Sequence, residues 1–295
     1  VQTWGSAPRR VGSQLAISGT GEIAGSVSGG CVEGAVVAEA LDAIEDGRRL
    51  MLEFGVTNED AFDVGLACGG TIRVLVEPIG PVMPEALLEE LVEARAARVP
   101  VAYVTSPGGE RRLDRAGHAD RFRMDRSGFE ADEETFVAVH NPPLRLIIVG
   151  AVHIAQALVP MARIAGYDPL LIDPRESFAS PERFPGETLR HDWPDEGLRA
   201  IGLDARTALV LLTHDPKLDD PALEEALASE VFYIGALGST RTHAKRVDRL
   251  AARGLSEAQI ARIHAPIGLD IGAAGPAEIA LATLAEMTRV LRQGA

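Results

Sequence analysis

The sequence predicts an α/β protein in two parts. A glycine-rich α+β domain covers residues 1–142, and a Rossmann-like domain built on a doubly wound parallel sheet covers 143–295. Three observations carry this. From Arg145 onward short apolar runs alternate with helical patterns, the rhythm of βαβ units. The first thirty residues hold glycine at 5, 12, 19, 21, 25, 29 and 30 among Ser and Thr, a composition that makes turns and close backbone approaches. Between the halves, Asn141-Pro142-Pro143 continues neither a helix nor a strand easily and marks the boundary.

Element by element, the segment after Cys31 reads as a helix, with apolar residues at 32, 36, 37, 41 and 44 and Gly47 as its stop. TIRVLVEPI (71–79) alternates as a strand, PEALLEELVEARAARV (84–99) is an amphipathic helix, and VAYVTS (101–106) is another strand. Residues 107–135, rich in Arg, Asp and Gly, lack clear periodicity and are expected to form hairpins or a mobile surface excursion. RLIIVG (145–150), HIAQALVPMARIAG (153–166) and PLLID (169–173) make strand, helix and strand, and TALVLLT (207–213) and VFYIGALG (231–238) repeat the theme. Ligand is expected at the carboxyl ends of these strands.

Composition narrows the function. The 295 residues are 46% hydrophobic and 24% charged, the balance of a globular protein of about two domains. A net charge of −14, heavier in the first half, lacks the electrostatic footprint for nucleic acid or an anionic membrane surface. No uncharged run is long enough to span a bilayer, and no signal peptide is visible. Val1 opens the chain without Met inside what reads as a functional loop, so a preceding piece is expected. With only Cys31 and Cys68, a disulfide scaffold is unnecessary, and a reducing cytoplasm is the expected compartment.

The most informative string is GSVSGGCVEG (25–34). A helix starting near Cys31 would leave the amides of Gly29, Gly30 and Cys31 free for a phosphate and would favour thiolate at Cys31. A plain glycine turn beside a small buried cysteine accounts for the same string. Cys68, in VGLACGGT (64–71), sits against Gly69 and Gly70, so the two cysteines suggest one shared site. Lacking C-x-x-C and a nearby His pair, that site is not a zinc site; a soft metal held mainly by its own cofactor fits better. Glu33 and Glu77 are acidic candidates whose ordinary reading is a solvated or capping role.

In the second half, Gly150-Ala151-Val152-His153 occupies the strand-to-helix turn of a Rossmann domain with only the first glycine of G-x-G-x-x-G. Asp173 stands where a ribose-binding acid belongs, so NAD(P) binding and a nicotinamide-dependent oxidoreductase form an alternative to a scaffold that holds no nucleotide. Thr213-His214-Asp215 and the segment from Gly235 to Gly238 and Ser239 each follow a strand and are expected at one cleft. Arg241, His243, Lys245 and Arg246 give the next helix an anion-friendly edge, although Lys245 also suits a solvated face. His264 reads as a turn cap or a site residue.

Several separated strings resemble the XdhC/CoxI family, the xanthine dehydrogenase accessory factors. TWGSAPRRVGSQLAI (3–17), GSVSGGCVEGAV (25–36) and VGLACGGTIRVLVEP (64–78) are similar to its N-terminal domain; LTHDPK (212–217), YIGALGSTRTHAKR (233–246) and HAPIGLDIG (264–272) are similar to its Rossmann domain. The resemblance implies an accessory protein that binds molybdenum cofactor, protects it while a cysteine desulfurase partner installs its terminal sulfur, and inserts it into an apo molybdenum hydroxylase. It also implies self-association. The residues it brings forward are Ser28, Gly29, Gly30, Cys31, Glu33, Cys68, Gly69 and Gly70 in the first half, with Cys31 and Cys68 as metal ligands. In the second half they are Gly150, His153, Asp173, Arg175, Thr213, His214, Asp215, Gly235, Gly238, Ser239, Arg241 and Lys245. Nothing resembles iron–sulfur ligand runs or a flavin domain, so the chain is not expected to be xanthine dehydrogenase by itself.

Overall fold

The structure, a computed structural model, describes residues 1–4, 9–55, 70–109 and 111–294. Contacts divide the chain into two units, Val1–Pro142 and Pro143–Ala295.

The first unit is built from short antiparallel pieces. β1 (Gln2–Trp4), β5 (Thr71–Val76) and β4 (Leu50–Phe54) form one sheet, and β2 (Leu15–Ile17) and β3 (Ile23–Gly25) form a hairpin. Helix α1 (Glu33–Asp46) buries Val36, Ala40 and Ala43 along one face, while Val37 and Leu41 are half-buried and Ile44 is exposed, so of the apolar positions read within the helix only Val36 lies fully in the core. It ends at Gly47 with φ 63°, whose amide donates to the Ala43 carbonyl. Val32 and Val36 of this region pack on Ile72 and Val74 of β5. Helix α2 (Glu85–Ala96) places Leu91 and Ala94 against Val101 and Tyr103 of β6 (Val101–Thr105) and Phe136 of β9 (Phe136–His140). The aperiodic stretch resolves into β7 (Arg112–Asp114), α3 (Ala119–Met124) and β8 (Gly128–Phe129), giving a sheet of order β7-β6-β9-β8. Strands of two or three residues are too short to display a period.

The second unit is a parallel sheet of six strands: β10 (Leu144–Val149), β11 (Tyr167–Ile172), β12 (Thr188–Arg190), β13 (Thr207–Leu211), β14 (Tyr233–Ala236) and β15 (Ile263–His264). Their spatial order, β12-β11-β10-β13-β14-β15, is the 3-2-1-4-5-6 arrangement of a dinucleotide-binding fold, with its switch point between β10 and β13. Period-two alternation sends Leu146, Ile148 and Val210 into a core with α4 (His153–Ile164) and α9 (Pro276–Gln293). Ile147, Val149, Leu209 and Leu211 face a second core with α5 (Pro194–Ile201), α6 (Pro216–Leu227), α7 (Thr240–Ala252) and α8 (Glu257–Ile260). Both faces are covered, which is why these strands are continuously apolar in sequence. Burying one such side chain stabilises the fold by about 1.5–3 kcal/mol. Among the described residues, no helix is long and apolar enough to cross a membrane.

Candidate functional site

The turn before α1 is organised by a carboxylate of the chain itself. Glu33 Oε1 accepts the Ser26 hydroxyl at 2.6 Å and the amides of Val27 at 3.1 Å and Ser28 at 2.9 Å, while Oε2 accepts the Gly30 amide at 2.9 Å and the Ser28 hydroxyl. The Gly29 amide donates to Ser26 Oγ at 2.9 Å, and Gly29 and Gly30 adopt φ 83° and 115°, which favour glycine. Burial raises the Glu33 carboxyl, but the bonds from Ser26 and Ser28 outweigh it and hold the group well below the usual carboxylate range. The helix begins at Glu33, just after Cys31 as read from the sequence, but one expectation is corrected: the amides of Gly29 and Gly30 are engaged within the turn instead of facing a phosphate. Glu33 and the buried Ser28 hold the loop; they do not line an open cradle.

Cys31 is half-buried at the end of this turn, its side chain against the cluster of Val32, Val36, Ile72 and Val74. Cys68 and Gly69 lie outside the described residues, while Gly70 is buried immediately ahead of β5. Among the described residues no group of three or more His, Cys, Asp or Glu could enclose a metal ion. A metal at Cys31 would need donors of its own, as a dithiolene complex has.

Glu77 is neither solvated nor a cap. It accepts Tyr103 Oη at 2.7 Å, Thr105 Oγ1 at 2.9 Å and Arg111 Nε at 3.2 Å, with Arg49 3.6 Å away. It stands at the wall of a largely apolar cavity of about 530 Å³ that Gln14, Val36, Ile72, Leu91 and His140 also line. Burial, with Arg95 nearby, pushes His140 down to about 4.

In the second unit the carboxyl ends of β10, β11 and β13 meet. Gly150, at φ 103°, lies so close to Thr213 that a β-carbon there would stand 2.6 Å from Thr213 Cγ2. Asp173 directly follows β11 at 0% exposure; its Oδ2 accepts the Ala151 amide at 2.9 Å, and Arg175 binds both oxygens, at 2.8 Å and 2.7 Å. Burial raises the Asp173 carboxyl, and these bonds from Arg175 and Ala151 override it, so the group is held below its ordinary range. The position is that of a ribose-binding acid, but both oxygens already have partners, which corrects the expectation of a carboxylate presented to ligand. Arg175 stacks over Phe178 at 4.0 Å, and Arg183 ties the turn down by donating to the Ala151 carbonyl at 2.7 Å. His153 is exposed at the start of α4, whose first turn has no side-chain cap among the described residues.

The remaining candidates divide. Asp215 caps α6 by accepting the Lys217 amide at 3.0 Å, and the exposed His214 turns the chain with φ 64°. Ser239 caps α7 by accepting the Thr242 amide at 3.2 Å, with Gly238 at φ 136° before it. Gly235 is inside β14, not in the loop after it: a β-carbon would collide with Ile267 and Tyr233, so it serves packing and not the cleft. Arg241 and Lys245 are exposed on α7 and share in no described cluster. Sequence reasoning missed Asp219, whose hydroxyl partner is Thr213, and the hub at Glu286, which accepts Tyr233 Oη at 2.8 Å and the Gly268 amide at 2.9 Å. Both were detectable as acids in helical register with apolar residues: Asp219 precedes Leu223 by four, and Glu286 precedes Val290 by four.

These features define a two-unit protein with a cysteine-bearing turn in its first unit and a Rossmann sheet in its second. Known proteins make the class specific. The XdhC Rossmann domain profile matches residues 146–287, and that of the XdhC and CoxI family matches residues 1–55. The molybdenum cofactor insertion chaperone PaoD of Escherichia coli is 31% identical over 290 residues, an alignment that covers 98% of this chain and 81% of that protein. A protein of Bacillus subtilis named as a probable xanthine dehydrogenase component is 26% identical over 314 residues, covering 99% and 92% of the two chains. A crystal structure of a xanthine dehydrogenase from Bacillus halodurans superposes with a TM-score of 0.65 at 25% identity, covering 100% of this chain and 90% of that one. The chain belongs to the XdhC and CoxI family.

Proposed function

We propose that this protein binds molybdenum cofactor as cargo, protects it during sulfuration and delivers it to an apo molybdenum hydroxylase of the xanthine dehydrogenase type. The observation that carries the reading is similarity along 98% of the chain to a protein named as a molybdenum cofactor insertion chaperone. Its partners are then the recipient hydroxylase and a cysteine desulfurase, its compartment is the reducing cytoplasm, and it self-associates to shield the cargo. Cys31 is the metal-side contact: a half-buried thiol beside a turn that Glu33 holds in shape suits one soft ligand to a metal already chelated by its own dithiolene. Cys68 is the second candidate ligand. Because the amides of Gly29 and Gly30 are engaged, the cargo's phosphate is bound elsewhere than in this turn.

Mixing the full chain with isolated cofactor and following co-elution tests the reading. Retention by the wild-type chain supports it, and cofactor emerging free contradicts it. The nicotinamide alternative loses its support where both oxygens of Asp173 are bound by Ala151 and Arg175. Saturable NAD(P) uptake in a calorimetric titration would restore it.

A further inference from the structure

A buried guanidinium in the second unit has more donors than the described residues have acceptors for it. Arg246 is on α7, at 1% exposure, and its Nη2 reaches the carbonyl of Leu237, the first residue after β14, at 3.0 Å. Among the described residues its Nε and Nη1 are buried without a hydrogen-bond partner, and so is Nδ1 of His243 one turn earlier on the same helix. The nearest acid, Asp219 of α6, gives Arg246 one contact of 3.5 Å, and the other carboxylate oxygen accepts the hydroxyl of Thr213.

The same pair of helices holds a built-in comparison. Arg249 and Asp220, each one turn or less away, form a two-pronged ion pair at 2.7 Å and 2.9 Å. That is the geometry an arginine and an aspartate adopt when their role is to fasten two helices. Arg246 and Asp219 do not adopt it. Arginine does not shed its proton, and a low-dielectric interior makes a cation with open donors a strong attractor for an anion. Burial raises the carboxyl of Asp219 against the opposing pull of the Thr213 hydroxyl and the Arg246 charge.

Location gives these open donors a use. Thr213 follows β13 and adjoins Gly150 at the switch point, and Leu237 follows β14, so the cluster underlies the carboxyl ends of the strands where doubly wound domains take ligands. We propose that Arg246, assisted by His243 and opposed by Asp219, is an oxyanion-recognition site for the phosphate group of a phosphorylated ligand. Uptake replaces the Leu237 carbonyl on Nη2 and uses the donors of Nε and Nη1. The site belongs to the second unit alone and stands whether or not Cys31 holds a metal complex.

Calorimetric titration of the full chain at constant ionic strength tests this, with inorganic phosphate in one arm and adenosine monophosphate in the other. The site predicts saturable uptake of phosphate, at least tenfold weaker in Arg246→Gln, and at least threefold tighter in Asp219→Asn because a competing negative charge is gone. Tighter uptake of the monophosphate than of phosphate identifies a ring-bearing ligand; equal uptake identifies recognition of the phosphate alone. No saturable phosphate uptake by the wild-type chain, or wild-type uptake by a folded Arg246→Gln, overturns the site. Should Arg246→Gln fail to fold, the Asp219→Asn arm decides: failure to tighten overturns it.

Discussion

The Gly30 amide donates to Glu33 Oε2 at 2.9 Å, so the glycine turn that resembles an anion cradle already holds an anion, one supplied by the first residue of the following helix. Helix starts attract negative charge through their free amides and dipole, and a ligand is not needed to satisfy them. The turn's function shifts accordingly, from holding phosphate to presenting Cys31 in a fixed place.

Glu33→Gln therefore loosens the turn. Hydrogen bonds to a charged acceptor contribute about 1.5–3 kcal/mol each, and the amide keeps some of them, so a net loss of about 2 kcal/mol is expected in urea denaturation. The pH dependence has a definite sign. The folded carboxyl is held below its unfolded value of 4.5, so its contribution is complete above that pH and drains as pH falls beneath it. Glu33→Gln flattens that acid limb.

His140 shapes a second pH effect. Its folded value, about 4, lies below the unfolded 6.5, so the folded state prefers neutral imidazole. Stability from this group is full above 6.5 and is lost as pH falls through that value toward 4. A His140→Gln variant, which keeps a polar partner for Gln14, should lose less stability than the wild-type chain between those limits, as thermal melts at matched ionic strength would record.

In the second unit, Asp173→Asn strands Arg175 and weakens the bond to the Ala151 amide. Breaking a buried ion pair costs about 3–5 kcal/mol, and the low end applies because the Arg175 side chain is 40% exposed. Differential scanning calorimetry should register the loss, with no accompanying gain of NAD(P) binding.

Gly150→Ala tests the closeness of the switch point. The new methyl group would meet Thr213 Cγ2 at 2.6 Å on a backbone with φ 103°, so strain and overpacking of about 2–4 kcal/mol are expected. Thr213→Ser removes the struck methyl group and should recover part of that loss in the double variant.

Much of this architecture was legible in the amino acids. The presence of α1 and its Gly47 stop, the alternating strands and helices after Pro143, and the place of Asp173 just after β11 all follow from local pattern, whereas the face that α1 buries, Val36, Ala40 and Ala43, was not the one its larger apolar residues mark. What a charged side chain touches does not. Glu33 and Asp173 were visible as acids near amide-rich turns, yet whether each faces a ligand or its own backbone depends on which donors the fold brings within 3 Å. Gly235 looked like a loop glycine because its string is glycine-rich, and only the packing of Tyr233 and Ile267 reveals a strand position that excludes a side chain. Arg246 was legible as part of a basic helix, but not as its buried member, because its burial is set by α6 packed against it.

Cofactor retention by the Cys31→Ala chain is the most direct measurement of the central claim. Cys31 is half-buried and its removal leaves the Glu33 network intact, so the variant should fold and melt close to the wild-type chain. Isolated molybdenum cofactor should co-elute with the wild-type chain and be held about tenfold more weakly, a difference of about 1.4 kcal/mol, by Cys31→Ala. Equal retention by a folded Cys31→Ala chain would contradict it.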